Sequence, residues 1–380
     1  TGWYTLSLHD ALPISFHRAV AGEKSMWTLT GLALGLGTLS KYTMLVLALS
    51  FLAYLAICDR RWLRTLWPWL AMVITLLCLS GVIYWNGQHD WVSIRHTASI
   101  GAEGTRSFGK CIGGFFEYLG GQAGATSPIL FFFYLWAIWH CARRFRVNKD
   151  AAYLFLCFAV LFGFYLFIAL TRKANVNWPI CAYTACVVAF GWIWTEQPRS
   201  LKARRWLTAA IVLGCIIGLA ARSTGLIYLA GLPIDPDKDP TNKLRGGREI
   251  GQALSKYIID PKLGPFPFSN RYQMTAWTAF YTKGHPRAYC INPGDRRMNQ
   301  YDLWGGWPEL KGRDGLFVTG GDAIKAQLWI EGMVQFGAFT KGEVLEIVEV
   351  KRANTIIDRY SISRLYNYSG ADQTPSTTKY

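Results

Sequence analysis

From Trp27 to Gly231 the chain is a succession of apolar runs separated by short polar interruptions; beyond that it alternates between short β-prone stretches and amphipathic helical ones. The apolar runs predict helices near Trp27–Leu39, Tyr42–Cys58, Leu66–Trp85, Pro128–Cys141, Ala151–Leu170, Pro179–Thr195 and Trp206–Tyr228. A helix needs roughly 20 apolar residues to cross the ~30 Å hydrocarbon layer with its backbone bonded internally. The pattern therefore predicts a helical integral membrane protein with about seven membrane segments. Trp27–Leu39 is too short to span and meets the next run at Ser40-Lys41-Tyr42-Thr43, which predicts a helical hairpin turning at membrane depth.

After Leu229 the prolines Pro233, Pro236 and Pro240 mark a linker into a water-facing domain. There Gly247–Ile259, Arg271–Lys283 and Asp322–Phe336 read as helices. Pro267–Asn270, Arg287–Ile291, Gly315–Thr319, Val344–Val350 and Thr355–Ser363 read as strands. This alternation predicts an α/β module, with no strand order fixed by the pattern. The expected organisation is a membrane region over 16–230, a water-facing α/β domain over 231–366 and a polar tail over 367–380. Residues 1–15 stand apart: Thr5-Leu6-Ser7-Leu8-His9-Asp10-Ala11-Leu12-Pro13-Ile14 resembles one reading frame of a sequencing adapter, so native sequence is expected to begin near Phe16.

Charge refines the topology. The net charge of +16 is not one patch, which argues against nucleic acid as a partner. Arg60, Arg61 and Arg64, then Arg143, Arg144, Arg146 and Lys149, then Arg199, Lys202, Arg204 and Arg205 fill three short loops. They alternate with the longer and less basic Asn86–Ser127 and Thr171–Trp178. Dense basic loops belong on the cytoplasmic side, which puts the C-terminal domain outside. Seven of the nine cysteines lie in or at the ends of apolar helices and read as small buried hydrophobes, and no metal-ligand spacing appears.

Candidate chemistry lies at the outer helix ends. Lys41 is an ionisable group at membrane depth, either facing a polar site or snorkelling to the interface. Trp85-Asn86-Gly87-Gln88-His89-Asp90-Trp91 offers His89 and Asp90 within an aromatic belt. Arg172-Lys173-Ala174-Asn175-Val176-Asn177-Trp178-Pro179 puts two cations and two amides in a short external loop, against the positive-inside bias; it suits a phosphate or lipid headgroups. In the C-terminal domain, Arg271-Tyr272-Gln273, Phe280-Tyr281 and Arg296–Trp304 combine polar and aromatic types that contact carbohydrate.

The phrases Gly31-Leu32-Ala33-Leu34-Gly35-Leu36-Gly37-Thr38-Leu39-Ser40-Lys41-Tyr42-Thr43, Tyr84 to Trp91 and Ala174 to Pro179, in this order, resemble the PMT-type membrane glycosyltransferases of the C-shaped (GT-C) fold. The resemblance runs from Trp27 through the membrane part, and Asp239–Phe317 also looks like the outer domain of bacterial members. It implies a GT-C-like bundle in a bacterial inner membrane with a periplasmic C-terminal domain. It further implies inverting transfer of a sugar from a polyprenyl-phosphate donor to a lipid, of lipid A or lipopolysaccharide type, or to a protein. On that reading Lys41, Tyr42, Arg172 and Lys173 bind the donor phosphate, while His89, Asp90, Asn175, Asn177 and Trp178 serve acceptor or sugar. The general base is expected upstream of Phe16, which would leave this stretch inactive alone, and a divalent metal ion is a candidate cofactor. The rival readings are a membrane transporter and a non-catalytic membrane-anchored binding protein.

Overall fold

The structure, a computed structural model, describes residues 2–95, 108–171, 174–196, 198–222, 224, 239, 241–260, 263–292, 299–352 and 355–371. The chain divides into two compact units, Thr1–Leu219 and Ala220–Tyr380.

The first unit is helical: α1 Gly2–Ala21, α2 Ser25–Ser40, α3 Met44–Cys58, α4 Trp67–Gln88, α5 Phe108–Thr126, α6 Pro128–Arg143, α7 Lys149–Thr171, α8 Ile180–Thr195 and α9 Leu201–Arg222. Among the described residues three helices, α4, α7 and α9, are long and apolar enough to cross a membrane. The number rises to four if α5 and α6, bent by 105° at a short break, form one broken span; α3 and α8 are shorter apolar helices. Helix α4 leaves Trp69, Leu70, Met72, Val73, Leu76 and Leu77 exposed, a surface that hydrocarbon tolerates and water does not. These features make the chain a multi-pass membrane protein.

Two readings change. The stretch Asn86–Ser127, expected as a long loop, contains α5. Six glycines in its 19 residues hid it, since glycine weakens a helix in water but is common where membrane helices pack closely. The last membrane helix begins at Leu201, so Lys202, Arg204 and Arg205 sit on its first turns rather than in a loop.

Glycine also sets the packing of α2. A Cβ on Gly31 would stand 2.5 Å from the Ala71 carbonyl oxygen, and one on Gly35 2.6 Å from the Cys78 Cβ, so the Gly-xxx-Gly face lets α2 and α4 run parallel in near-backbone contact. Thr75 Oγ1 closes the seam by donating to the Gly31 carbonyl at 3.0 Å. The expected hairpin is looser than foreseen: α2 packs mainly on α1 and α4, and α3 mainly on α7. Gly31→Leu is expected to cost about 1–3 kcal/mol by overpacking this seam. Thermal unfolding in detergent checks it, and an unchanged midpoint would show that the seam yields freely.

Aromatic rings fill the middle. Phe16 stacks on Phe51 at 4.0 Å and lies 5.9 Å from Tyr153, whose hydroxyl donates to the Pro13 carbonyl at 2.8 Å. Charged groups collect at one end of the helices. Buried Asp59 accepts from Arg61 at 2.8 Å and Lys149 at 3.0 Å, His17 meets Asp150 at 2.9 Å, and Arg144 donates to both Glu196 oxygens. Helices α3 and α7 carry the chain from this end to Thr43 and Tyr165 at the other.

The second unit contains α10 Gly247–Leu254, β1 Phe266–Ser269, α11 Tyr272–Tyr281, β2 Tyr289–Cys290, α12 Tyr301–Trp304, β3 Gly315–Gly320, α13 Ala323–Gln335, β4 Lys341–Arg352 and β5 Thr355–Tyr366. Its five-stranded sheet has the order β2-β1-β3-β5-β4. β1 pairs parallel with β2 and β3, whereas β5 pairs antiparallel with β3 and β4. Side chains alternate across the sheet. Leu316, Val318 and Ile362 join Ile250, Leu254 and Met274 on one face, while Phe266, Phe268 and Phe317 meet Trp307, Phe339 and Tyr368 on the other. Tyr368, inside the segment read as a polar tail, is buried at 1% exposure. Among the described residues no disulfide joins any of the nine cysteines.

Candidate functional site

The α2–α3 break puts Lys41 at the end of the helices opposite the charged cluster. Its backbone N–H donates to the Gly37 carbonyl at 2.8 Å and caps α2, and its carbonyl accepts from Met44 as α3 begins. A cation suits this position, where unpaired carbonyls concentrate negative charge. The side chain is half-buried and Tyr42 beside it is exposed. Lys41 lies close enough to the Cys181 thiol, in the first turn of α8, for the two to interact electrostatically.

The segment leading into α8 approaches the same place. Ala174 and Trp178 pack against the buried core, and the Trp178 ring lies 6.0 Å from that of Tyr165 on α7. The buried Tyr165 hydroxyl stands next to the Thr43 hydroxyl, and among the described residues neither closes a hydrogen bond of ordinary geometry. Asn175 and Asn177 are exposed on the turn. Arg172 and Lys173 lie outside the described residues.

A third element completes the gathering, and sequence reading missed it. Gln122 of α5 is 1% exposed; its Nε2 donates to the Val176 carbonyl at 2.9 Å, and its Oε1 accepts from the Tyr183 hydroxyl at 2.9 Å. Gly121 leaves room for the Val176 side chain, which would stand 2.8 Å from a Cβ there. One amide thus ties the 174–179 turn to α5 and α8, five residues before the sharp break at Ser127, a buried residue with φ +80°. A lone glutamine within a glycine-rich apolar stretch was the available signal.

His89 and Asp90 are placed differently. His89 stacks on Trp85 at 4.2 Å and its Nδ1 pairs with the Trp85 carbonyl at 2.8 Å. Asp90 is exposed at φ +54° in a turn organised by buried Asn86, whose Nδ2 donates to the Val82 carbonyl and whose Oδ1 accepts from the Ser93 N–H. Among the described residues, no hydrogen bond, ion pair or ring contact joins His89 or Asp90 to Lys41 or to 174–179. Nor does any group of three or more His, Cys, Asp or Glu side chains there form a metal site.

Chemically, the arrangement offers a cation, hydroxyls, exposed amides and an indole near a helix break. Such a set suits a phosphate carried on a lipid, because a cation in a poorly hydrated place binds an anion more strongly than one in bulk water.

The profile of the dolichyl-phosphate-mannose-protein mannosyltransferase family matches residues 11–85, which include Lys41 and Tyr42. The chain is 26% identical over 173 residues to the lipid A galacturonosyltransferase RgtD of Rhizobium johnstonii, a match covering 45% of this chain and 36% of that protein. No solved structure matches. Through these two partial matches, the first of which takes in the glycine-rich α2 with Lys41 and Tyr42, the chain is similar to PMT-type membrane glycosyltransferases.

Proposed function

We propose that the chain belongs to an enzyme with a GT-C-like bundle that moves a hexosyl- or pentosyl-type sugar from a polyprenyl-phosphate donor to an acceptor hydroxyl. The acceptor is a lipid of the lipid A or lipopolysaccharide type, or a protein. The carrying observation is a chain of neighbours: Lys41 lies within electrostatic reach of Cys181, Thr43 two residues on stands beside Tyr165, the Tyr165 ring meets Trp178, and Gln122 ties the Asn175–Trp178 turn to Tyr183. The family match over residues 11–85 and the likeness to a lipid A galacturonosyltransferase support it.

In this reading the acceptor oxygen gives its proton to a carboxylate base, forms the new bond to the anomeric carbon and displaces the donor phosphate, which leaves with the electron pair of the broken bond. Lys41 stabilises the charge that grows on that phosphate, with Tyr42 beside it and Arg172 and Lys173 adding positive charge. Asn175, Asn177 and Trp178 position the sugar, and His89 and Asp90 line the approach of the acceptor. No base is assigned among these residues. The basic residues at the opposite helix ends favour a bacterial inner-membrane setting with this site and the C-terminal unit on the periplasmic side.

A transporter is the second reading, favoured by the 105° break between α5 and α6, since broken helices also build substrate paths. Full-length protein in liposomes, given labelled polyprenyl-phosphate sugar and a lipid A acceptor, separates the two. Label joined covalently to the acceptor supports transfer; label that crosses the bilayer with no new glycosidic bond sinks it and favours transport.

A further inference from the structure

We propose that the C-terminal unit carries a saccharide-binding site of its own, with the Trp304 indole as stacking platform and Arg287 as the partner of a carboxylate on the sugar. The site is the corner 299–307. Helix α12 is a single turn, yet it holds Trp304 at 60% exposure with the Tyr301 ring set edge-on against it at 5.1 Å. Only three residues later Trp307 is 3% exposed in the core, so the chain buries one indole here and presents the other.

Two anchors fix this presentation. From beneath, the Asp302 carboxylate, 3% exposed, accepts from Asn292 Nδ2 at 3.0 Å and from the Asn299 backbone N–H at 3.1 Å, while Asn299 Oδ1 accepts from the Tyr301 N–H at 3.0 Å. From the side, Arg287 Nη2 donates to the Gly305 carbonyl at 3.1 Å, with its guanidinium 5.0 Å over the Tyr289 ring. Gly305 and Gly306 both have positive φ, +54° and +91°, and a Cβ on Gly306 would lie 2.8 Å from Arg287 Nη2. The corner therefore fits around this one guanidinium.

A fixed, exposed indole offers a flat apolar face whose ordering has already been met by the fold. The C–H face of a pyranose ring matches it, leaving the sugar hydroxyls to the polar rim. That rim decides the occupant. Gln300, one turn before Trp304, and Arg287, bonded to the Gly305 carbonyl, are both exposed, a surrounding too polar for a protein interface core and apt for a hydroxylated ring. The Arg287 side chain is exposed and its hydrogen bonds to the corner use Nη2, which leaves further N–H donors for a carboxylate.

The test uses the full chain in nanodiscs with a tri-uronic acid and its carboxyl-reduced neutral counterpart, read by saturation-transfer NMR and titration calorimetry. The expected result is preference for the acidic sugar, about tenfold weaker binding of it in Trp304→Ala, and partial retention in Trp304→Phe. Arg287→Gln is expected to bring the acidic sugar down to the affinity of the neutral one. Because Trp304 is largely outside the core, its variants should keep the parent melting curve. Equal binding of both sugars by the parent overturns the proposal, as does full binding by Trp304→Ala. So does a parent that binds neither sugar while Trp304→Ala abolishes self-association, which would make this corner a contact between copies.

Discussion

Arg352→Ala is expected to unfold the C-terminal unit, or lower its stability by about 3–5 kcal/mol, the range for removing one partner of a buried ion pair. The Arg352 side chain is 9% exposed and that of Asp239 1%. Arg352 Nη1 donates to Asp239 Oδ2 at 3.0 Å and to Thr224 Oγ1 at 2.8 Å, and Asp239 Oδ1 accepts from both the backbone N–H and the hydroxyl of Thr241 at 2.8 Å. Losing the guanidinium leaves a buried carboxylate with no counter-charge, whereas a surface pair would cost at most ~1 kcal/mol. The same node gives a pH dependence. Burial pushes the Asp239 carboxyl up, but the Thr241 N–H and hydroxyl, the Thr224 hydroxyl and Arg352 together hold it below the usual aspartate range. A carboxyl with a lowered folded pKa adds stability that is present above its unfolded pKa and fades as pH falls through the folded one, so the loss should begin below about pH 4. Denaturant melts of Asp239→Asn should lack this acid limb. A parent-like limb in that variant would assign the acid sensitivity to another group.

Lys41→Met in the full-length protein is expected to slow sugar transfer by about 10²–10³-fold, the usual loss when one group stabilising a developing oxyanion is removed. The alternative role of Lys41, as a cation at the α2 C-terminus, is worth only about 0.3–1 kcal/mol of stability and no activity. The two differ enough to be separated. Transfer rates at saturating donor should fall while the melting midpoint barely moves, and Lys41→Arg should restore part of the rate because it keeps the charge with a different shape. Transfer at the parent rate in Lys41→Met would leave Lys41 a helix cap and remove it from the donor site.

Much of this architecture was legible because local pattern carries it. Gly315–Thr319, Thr355–Ser363 and Asp322–Phe336 emerge close to their read limits, since alternation and amphipathic spacing are properties of a few neighbouring residues. The Lys41 break was visible as an interruption between two apolar runs. What stayed hidden depends on distant meetings. Gln122 gains meaning only when α5 sets it between Val176 and Tyr183, and Arg352 finds Asp239 113 positions away. In α5 glycines masked a helix, and the close approach that Gly31 and Gly35 allow between α2 and α4 came only with the structure. Strand order was out of reach as well, because β5 inserts between β3 and β4 by long-range pairing that no local signal encodes.

Among the described residues, strand β4 is an edge of the sheet, paired on one side only, with β5. It is studded with Lys341, Glu343, Glu346, Glu349 and Lys351, and Glu349 is paired to both Lys351 and Arg359. Chains anchored in a bilayer diffuse in two dimensions, so their water-facing units collide far more often than the same units free in solution. A bare β edge would zip neighbouring copies into ribbons; a charged border must be stripped of water before another strand can dock. The charged hem of β4 thus raises the cost of edge-to-edge pairing between copies.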